Sequence, residues 1–169
     1  MLIFLVGFMG CGKSYTGKSL AQMLNYSFVD MDKAIEEQEG MSVSEIFDIK
    51  GEAYFRACEK QYIEKVVENQ RLVIATGGGT PCFYENMRIM NSKGITIYLN
   101  RNKERALQQL LKGKHKRPLL KGLSDEEVSS FYDKKLAERS QYYEQATIKA
   151  GDMYAEDLVK LLNIGVEKK

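Results

Sequence analysis

The sequence has few of the residues that hold small extracellular folds together, and it has no long hydrophobic run. It contains only 2 Pro and 3 Cys, and these cysteines form neither a Cys-x-x-Cys pair nor a zinc-type spacing with histidine. This excludes a disulfide scaffold and predicts a reduced, cytoplasmic chain. The longest apolar run, Leu2 to Met9, is too short to cross a bilayer, and no basic segment precedes it, which argues against a signal peptide.

The composition is that of an ordinary globular protein with nearly balanced charge. Hydrophobic residues make up 44% of the chain and charged residues 28%, which excludes a disordered or collagen-like chain. Lys and Arg number 25 against 23 Asp and Glu, so the formal net charge is only +2. This balance argues against a nucleic-acid-binding protein, and any anion must be held by a local arrangement. We expect one domain spanning residues 1–169.

Short apolar runs alternate with longer segments of helical periodicity. The predicted strands are 2–6, 27–30, 72–75, 95–99 and 147–150. The predicted helices are 13–24, 33–39, 43–50, 52–69, 85–92, 102–112, 125–144 and 155–163. Capping boxes that begin at Ser42 and Ser124 support two of the helix starts. The alternation predicts an α/β fold with a five-stranded parallel sheet flanked by helices.

Two stretches do not fit simple strand–helix–strand connections. Residues 32–61 contain more helix than one crossover needs, and we expect them to form a small helical subdomain at the edge of the sheet. Residues 112–124 are basic and contain Gly113 and Gly122. This composition is typical of a mobile lid that closes over phosphate groups.

A phosphate-binding motif directly follows the first predicted strand. The pattern G-x-x-x-x-G-K-[ST] is matched in full by Gly7-Phe8-Met9-Gly10-Cys11-Gly12-Lys13-Ser14, and a predicted helix follows it. Its glycines let backbone N–H groups turn inward on phosphate oxygens, and the helix N-terminus favours an anion. Lys13 is expected to bridge the β- and γ-phosphates of a nucleotide, and Ser14 to complete a Mg²⁺ shell.

This phosphate-binding motif is the P-loop, and two common classes of P-loop protein do not fit the rest of the sequence. A GTPase needs an Asn-Lys-x-Asp motif to read guanine, but Asn102-Lys103 continues as Glu104-Arg105. A motor-type ATPase ends its third strand in an acidic residue, whereas here that strand runs into Thr76-Gly77-Gly78-Gly79-Thr80. A backbone with three consecutive glycines predicts that something small approaches the end of this strand closely. The alternative is that the glycines form a plain flexible turn.

Two carboxylates follow the second predicted strand. Strand alternation places Asp30 and Asp32 on the same side, with Met31 facing away. Beside a phosphate-binding loop, the first carboxylate can hold Mg²⁺ through water, and the second can accept a hydrogen bond from an attacking hydroxyl. The alternative is that Asp32 only caps the following helix.

Two helical arginines offer a site for a carboxylate. Arg56 and Glu59 are three residues apart on one predicted helix and therefore share a face. Arg139 lies on another predicted helix, beside a Tyr142-Tyr143 pair that we interpret as packing. Isolated helical arginines are usually surface residues, but two from separate elements suit the capture of a carboxylate.

Together these features resemble the shikimate kinase family, in the nucleoside-monophosphate-kinase-like P-loop group. The resemblance covers about residues 1–163, and its segments are Gly7 to Ser14, Asp30-Met31-Asp32, Gly51-Glu52-Ala53-Tyr54-Phe55-Arg56, Gly77-Gly78-Gly79, and Arg117-Pro118-Leu119-Leu120 with Arg139-Ser140-Gln141-Tyr142-Tyr143-Glu144. It implies a three-layer P-loop kinase fold and ATP-dependent phosphorylation of the 3-hydroxyl of shikimate, on the pathway to aromatic amino acids. It also implies shikimate and ATP as partners and Mg²⁺ as cofactor. A compact kinase of this length can work as a monomer, which is the oligomeric state that we expect.

The resemblance implies a role for each site residue. The ATP phosphates would be cradled by Gly10, Cys11, Gly12, Lys13, Ser14 and Tyr15, with Arg117 closing on them from the lid. The metal would be bound by Ser14 and, through water, by Asp30. Shikimate would be bound by Asp32, Arg56, Gly78 and Arg139, with Glu59 orienting Arg56 in the subdomain 32–61. Asp32, Lys13 and Arg117 would be catalytic.

One position departs from the family pattern. Members often carry an arginine that stacks on adenine about seven residues before Arg117, where this chain has Leu110, with Lys112 as the nearest cation. The resemblance therefore assigns no residue to adenine. Cys11 is interpreted as a small residue rather than a reactive one, and His115 as an exposed lid residue near phosphate.

Three other functions remain open at this stage. The acceptor is alternatively gluconate or a nucleoside monophosphate, but Arg56, Arg139 and the triple glycine favour a small carboxylated polyol. A binding module that has lost turnover is disfavoured because Lys13, Asp32 and Arg117 are all present. Nucleic-acid binding is the least favoured, since the basic cluster is short and is already explained as a lid.

Overall fold

The fold is a five-stranded parallel sheet with helices on both faces, as the sequence predicts. A computed structural model of the chain describes residues 1–67, 71–114 and 117–162. The strands are Leu2–Val6 (β1), Ser27–Asp30 (β2), Leu72–Ala75 (β3), Ile95–Tyr98 (β4) and Ile148–Lys149 (β5). They pair in the order β2-β3-β1-β4-β5, and every pairing is parallel. The last strand has only two of the four residues expected at 147–150, and β4 ends at Tyr98, one residue early.

Eight α-helices lie within the described residues, at the places that the periodicity predicts. They are Lys13–Leu24 (α1), Met31–Glu39 (α2), Val43–Lys50 (α3), Glu52–Lys65 (α4), Asn86–Lys93 (α5), Lys103–Lys112 (α6), Asp125–Tyr143 (α7) and Ala155–Leu161 (α8). Both predicted capping boxes, at Ser42 and Ser124, are confirmed. The predicted end of the helix at 52–69 is wrong, because the backbone of Val66 is already extended. Residue 163, the predicted end of the last helix, lies outside the described residues.

The central strand β1 explains the three layers. All five of its residues are buried, and it lies between β3 and β4. Because side chains alternate along a strand, Leu2, Phe4 and Val6 enter one hydrophobic cluster, whereas Ile3 and Leu5 enter the other. Residues of α4, α5 and α7 fill the first cluster, and residues of α1 and α8 fill the second. A continuous apolar run is therefore what a strand covered on both faces requires.

The strand order also brings three functional segments together. Because β3 lies between β1 and β2, Ala75 pairs with Leu5 on one side and with Asp30 on the other. The segments that follow these three strands therefore meet at the carboxyl edge of the sheet, which is where open α/β sheets bind ligands. No helix among the described residues has the length and apolar character needed to cross a membrane.

Candidate active site

The loop between β1 and α1 has the backbone of a phosphate cradle. Gly10 and Gly12 adopt φ values of 83° and 85°, a region that residues with a Cβ rarely enter. Gly10 also has no room for a side chain, since a Cβ there would lie 2.7 Å from the carbonyl oxygen of Ala106. Lys13 folds back over the loop, where its Nζ donates to the carbonyl oxygens of Gly7 (2.8 Å) and Phe8 (3.0 Å). The cation is thus held at the centre of the cradle and is only 8% exposed.

Cys11 lies inside this cradle. Its side chain is buried, with the sulfur 3.8 Å from the Nζ of Lys13. The thiol is therefore packed among the loop residues, as its interpretation as a small residue requires.

The two residues predicted to bind a metal are in contact. The Ser14 hydroxyl donates to Oδ2 of Asp30 at 2.6 Å, at the edge of the cradle. A hydroxyl and a carboxylate are hard oxygen ligands, which Mg²⁺ prefers. The described residues contain no group of three or more His, Cys, Asp or Glu side chains that would hold a metal by themselves. This pair therefore fits an ion whose remaining ligands are nucleotide phosphates and water.

Asp32 is near Asp30, but for a different reason from the one predicted. The helix α2 begins at Met31, not at residue 33, so Asp32 stands on the first helical turn and the alternation argument is wrong. Its Oδ1 is buried without a hydrogen-bond partner among the described residues. Burial, reinforced by the negative charges of Glu59 and Asp30, raises the pKa of Asp32 from 3.8 to about 7, against the opposing charges of Lys13 and Arg56. This carboxylate is poised to accept a proton near neutral pH.

Arg56 is held between two carboxylates of its own helix. Its Nη1 donates to Oε2 of Glu59 at 2.8 Å, which confirms the predicted contact. Its Nη2 and Nε donate to Oε1 of Glu52 at 2.8 and 3.1 Å. The four-residue spacing on a helix was the available signal for Glu52, which the sequence analysis missed. Because the ring of Phe83 covers the guanidinium at 4.6 Å, Arg56 is fixed in one orientation.

Glu59 is the most deeply buried charged group of the site, with no exposed surface. Burial raises the pKa of its carboxyl, and the charges of Arg56 and Arg139 and the hydroxyl of Thr80 oppose that rise. The Thr80 hydroxyl also donates to Oε1 of Glu59. Glu59 therefore acts as a buried anchor for Arg56.

Arg139 differs from Arg56, each of whose three guanidinium nitrogens donates to a carboxylate. It lies on α7 and is only 8% exposed, yet its Nη1 has no hydrogen-bond partner among the described residues. A buried cationic donor without an acceptor is costly unless a ligand supplies one. Arg139 is therefore positioned to bind an anion.

The triple glycine after β3 is not a plain flexible turn. A Cβ on Gly77 would lie 2.7 Å from Oε1 of Glu59, and a Cβ on Gly79 would lie 2.5 Å from Nη2 of Arg56. The groups that approach two of these glycines are therefore side chains of the site itself. None of the backbone–backbone hydrogen bonds found in the described residues starts from the N–H of Gly77, Gly78 or Gly79. The turn thus makes room for the charged cluster and leaves N–H donors beside it.

Two adjoining cavities contain all the predicted site residues. The cradle cavity, of about 560 Å³, is lined by Gly10, Cys11, Gly12, Lys13, Ser14 and Tyr15. The arginine cavity, of about 410 Å³, is lined by Arg56, Glu59, Arg139 and the three glycines. Both cavities are lined by the same five residues, which are Met9, Asp30, Asp32, Gly78 and Arg117. A group bound in one cavity therefore faces a group bound in the other across Asp32 and Arg117.

Arg117 reaches this junction from the segment predicted as a lid. It is half-buried, and its Nη1 lies 3.5 Å from the carbonyl oxygen of Leu110. Burial lowers its pKa, but a guanidinium remains charged at any working pH. His115, the lid histidine, lies outside the described residues.

The far end of the cradle cavity contains residues that the sequence analysis did not single out. They are Arg101, Arg105, Gln108, Gln109 and Tyr154. The guanidinium of Arg101 stacks over the Tyr154 ring at 4.6 Å, and Arg105 donates to the Tyr154 hydroxyl at 2.9 Å. Leu110, by contrast, is fully buried. A Cβ on Gly10 would touch Leu110, so this leucine supports the cradle from beneath.

Several known proteins that resemble this chain carry the name shikimate kinase. The family model described as Shikimate kinase matches residues 9–161. A shikimate kinase from Parabacteroides distasonis is 43% identical over 146 residues, which are 86% of this chain and 84% of that protein. A solved shikimate kinase structure from Bacteroides thetaiotaomicron has a TM-score of 0.90 and 38% identity, over 97% of this chain and 99% of that one. A shikimate kinase from Acinetobacter baumannii, solved in complex with shikimate, has a TM-score of 0.84 and 32% identity, over 95% of this chain and 89% of that one.

The fold and the paired cavities define a P-loop phosphotransferase. The architecture alone is also found in a deoxyadenosine kinase from M.mycoides, at a TM-score of 0.56 and 17% identity. Because the family model spans most of the sequence and relatives exceed 40% identity, the chain belongs to the shikimate kinase family.

Proposed function

We propose that this chain transfers the γ-phosphate of ATP to the 3-hydroxyl of shikimate, giving shikimate 3-phosphate and ADP. The observation that carries the proposal is the pair of adjoining cavities, which share Asp32 and Arg117 at their junction. One cavity contains a phosphate cradle, and the other contains two buried arginines. A donor phosphate and a small acid acceptor bound in this way meet at the shared residues.

The cradle cavity would bind ATP. Backbone N–H groups of Gly10 to Tyr15 would receive the phosphates, and Lys13 would turn from the loop carbonyls to the β- and γ-phosphates. Mg²⁺ would be held by Ser14 and, through water, by Asp30, and it would neutralise charge on the phosphates. The far end of the cavity, with Arg105 and Tyr154, would enclose the base.

The arginine cavity would bind shikimate by its carboxylate. Among the described residues, Nη1 of Arg139 has no hydrogen-bond partner, and the N–H of Gly78, which lines the same cavity, makes no backbone–backbone hydrogen bond. Arg56 still has donors to offer, because Glu52 and Glu59 accept only three of its five N–H groups. A carboxylate received by these groups would direct the ring hydroxyls of shikimate toward Asp32.

The chemistry at the junction would rest on positioning and charge. The transition state of phosphoryl transfer is loose, so the protein contributes mainly alignment and stabilisation of charge. Asp32 would accept the proton of the attacking hydroxyl, as its pKa near 7 allows. Lys13 and Arg117 would stabilise the charge that spreads over the transferring phosphate.

The remaining architecture fits a small enzyme with moving parts. We propose that residues 112–124 act as a lid, since Arg117 lines both cavities, and that residues 32–61 form a substrate-binding subdomain, since Asp32, Arg56 and Glu59 all lie within it. We also propose a single domain that works as a cytoplasmic monomer and binds no nucleic acid.

The decisive experiment measures ADP release with shikimate, gluconate and a nucleoside monophosphate as acceptors. We expect release that depends on shikimate and on Mg²⁺, with no activity above background for the other two acceptors. Turnover of another acceptor in place of shikimate would contradict the proposed substrate. Calorimetric binding of both ATP and shikimate without any turnover would show a binding module instead of an enzyme.

A further inference from the structure

One buried hydroxyl of α7 reaches the glycine turn. The Tyr143 side chain has no exposed surface, and its hydroxyl donates to the carbonyl oxygen of Gly78 at 2.5 Å. The sequence analysis interpreted the Tyr142-Tyr143 pair as packing, and the ring of Tyr143 does stack on Tyr98 at 5.2 Å. The hydrogen bond, however, is a directed contact that packing alone does not need.

The bonded carbonyl belongs to a peptide group that needs an outside constraint. It joins Gly78 to Gly79, and a peptide between two glycines rotates more freely than any other because neither neighbour has a Cβ. The peptide bond between Gly78 and Gly79 is trans, as are the others in the described part of the chain, so the N–H of Gly79 points away from the Gly78 carbonyl. A partner that holds the carbonyl oxygen therefore also sets the direction of this N–H.

This peptide group lies between the two halves of the site. Gly78 lines both cavities, and a Cβ there would lie 3.1 Å from the backbone nitrogen of Met9 in the cradle. Gly79 lies against the guanidinium of Arg56, as the crowding at its Cβ position shows. The turn is thus packed between the cradle and the fixed arginine.

The tyrosine and the free arginine come from the same face of one helix. Arg139 and Tyr143 are four residues apart on α7, so they lie one turn from each other. Burial raises the pKa of Tyr143 against the opposing charge of Arg139, which keeps the hydroxyl protonated and able to donate. The helix that brings Arg139 into the arginine cavity therefore also reaches the glycine turn.

We propose that Tyr143 is a positioning residue, whose hydroxyl sets the orientation of the Gly78–Gly79 peptide and so aligns the acceptor with the phosphate cradle. This inference rests on the proposed function, in which the arginine cavity binds the acceptor. Tyr143 is not among the residues that line the two cavities, so it would act through the peptide that it holds.

The first test compares two tyrosine variants of the same helix by steady-state kinetics. Tyr143→Phe keeps the ring and removes the hydroxyl, so we expect the KM for shikimate to rise about 2- to 10-fold and the KM for ATP to change by less than about twofold. The control is Tyr132→Phe, because Tyr132 is also a buried tyrosine of α7 and packs edge-on against Phe8 at 4.9 Å. Equal changes in both KM values, or the same change in the control, would overturn the proposal.

The second test needs no catalytic activity. Hydrogen exchange of the peptide that covers residues 76–82 is measured in the free protein, below the melting temperature of every variant. We expect faster exchange in Tyr143→Phe and unchanged exchange in Tyr132→Phe, and replacing Tyr143 with 4-aminophenylalanine, which restores an N–H donor, should return exchange toward the wild-type rate. Unchanged exchange in Tyr143→Phe would overturn the positioning role. A wild-type protein that does not phosphorylate shikimate would refute the proposed function, while this exchange result still decides whether Tyr143 holds the turn.

Discussion

The two cavities are built to bind anions in different ways, if they act as we propose. The cradle cavity relies on one continuous segment, in which backbone N–H groups and a single lysine face the ligand. The arginine cavity is assembled from side chains of α2, α4 and α7 and from the turn after β3. The geometry of the cradle needs only its own segment with a strand before it and a helix after it. The geometry of the arginine cavity, by contrast, exists only when the whole sheet has formed.

The two cavities also differ in electrostatic cost. In the cradle, the charge of Lys13 is satisfied by two backbone carbonyls until a ligand arrives. In the arginine cavity, Asp32 and Arg139 each have a buried polar atom that finds no partner in the described part of the chain, and Glu59 is fully buried beside Arg56. Unsatisfied groups of this kind lower the stability of the free protein, and this cost is offset when the substrate supplies their hydrogen-bond partners. Substitutions in the two cavities should therefore have different signatures.

The largest effect is expected at the junction, for Asp32→Asn. The amide cannot accept the proton of the attacking hydroxyl, so we expect kcat to fall by about 10²–10⁴-fold while ATP still binds. In the wild-type protein, kcat/KM for shikimate should rise with pH around a midpoint near 7, because the pKa of Asp32 is raised to about 7 and only the ionised form is a base. Retained activity in the variant, or a flat pH profile in the wild type, would remove Asp32 from this role.

The same variant tests the electrostatic cost of the site. The folded state binds the Asp32 proton more tightly than the unfolded state, so the free energy of unfolding falls as pH rises from about 4 toward 7. Asp32→Asn has no such loss, and its melting temperature should exceed that of the wild type at pH 8 and approach it near pH 4. A difference of about 1 kcal/mol corresponds to roughly 2–4 °C in a domain of this size. A variant less stable than the wild type at pH 8 would contradict the argument.

A smaller and more selective effect is expected for Arg139→Ala. Removing a buried charged donor should raise the KM for shikimate about 10- to 100-fold, the usual range for a hydrogen bond to a charged group, and leave the KM for ATP nearly unchanged. Arg88→Ala is the matched control, because Arg88 is a helical arginine with 73% of its side chain exposed and pairs with Glu85, outside both cavities. An equal loss of ATP and shikimate affinity would show that Arg139 does not belong to the acceptor cavity.

What the sequence predicts follows the same division between local and nonlocal geometry. The strand, the glycines and Lys13 of the cradle are contiguous, so one motif predicts their arrangement, and the contact between Ser14 and Asp30 agrees with it. Arg56 and Glu59 were paired correctly because three residues on a helix lie on one face. These predictions need only the periodicity of a single element.

The features that the sequence did not predict are helix boundaries and contacts between residues of different elements. Alternation placed Asp32 correctly for a wrong reason, because periodicity does not show that α2 begins at Met31. The run of glycines predicts a close approach to the turn, but it does not show that Glu59 and Arg56 are the groups beside Gly77 and Gly79. The bond from Tyr143 to Gly78 joins residues 65 positions apart, which sequence spacing cannot reveal.

A modest effect is expected for Glu52→Gln, which tests whether Arg56 depends on both of its carboxylates. Glu52 is partly exposed, and such ion pairs contribute up to about 1 kcal/mol, so the KM for shikimate should rise by no more than about fivefold. Glu64→Gln on the same helix is the control, since Glu64 pairs with the exposed Lys60 at 3.7 Å. A loss as large as that of Arg139→Ala would mean that Glu52 itself contacts the acceptor.

The smallest effect on KM is expected at the far end of the cradle cavity, where two cationic side chains are candidates to contact the adenine base. The resemblance assigns no residue to adenine, and Lys112 is only the cation nearest to Leu110 in the sequence. Lys112 is exposed and does not line the cavity, whereas Arg105 lines it and donates to the hydroxyl of Tyr154. Arg105→Ala should therefore raise the KM for ATP about two- to threefold, as expected for a solvent-exposed cation near an aromatic or base surface, and should leave the KM for shikimate unchanged.

Lys112→Ala is the matched comparison, because it removes a neighbouring cation of the same helix without touching the lining of the cavity. If Lys112→Ala raised the KM for ATP more than Arg105→Ala, the base would lie along the outer face of α6 and not in the cleft beside Tyr154. The cradle cavity would then hold the nucleotide only by backbone contacts to its phosphates and by no side chain at its base. It would differ from the arginine cavity, which relies on side chains, along its whole length.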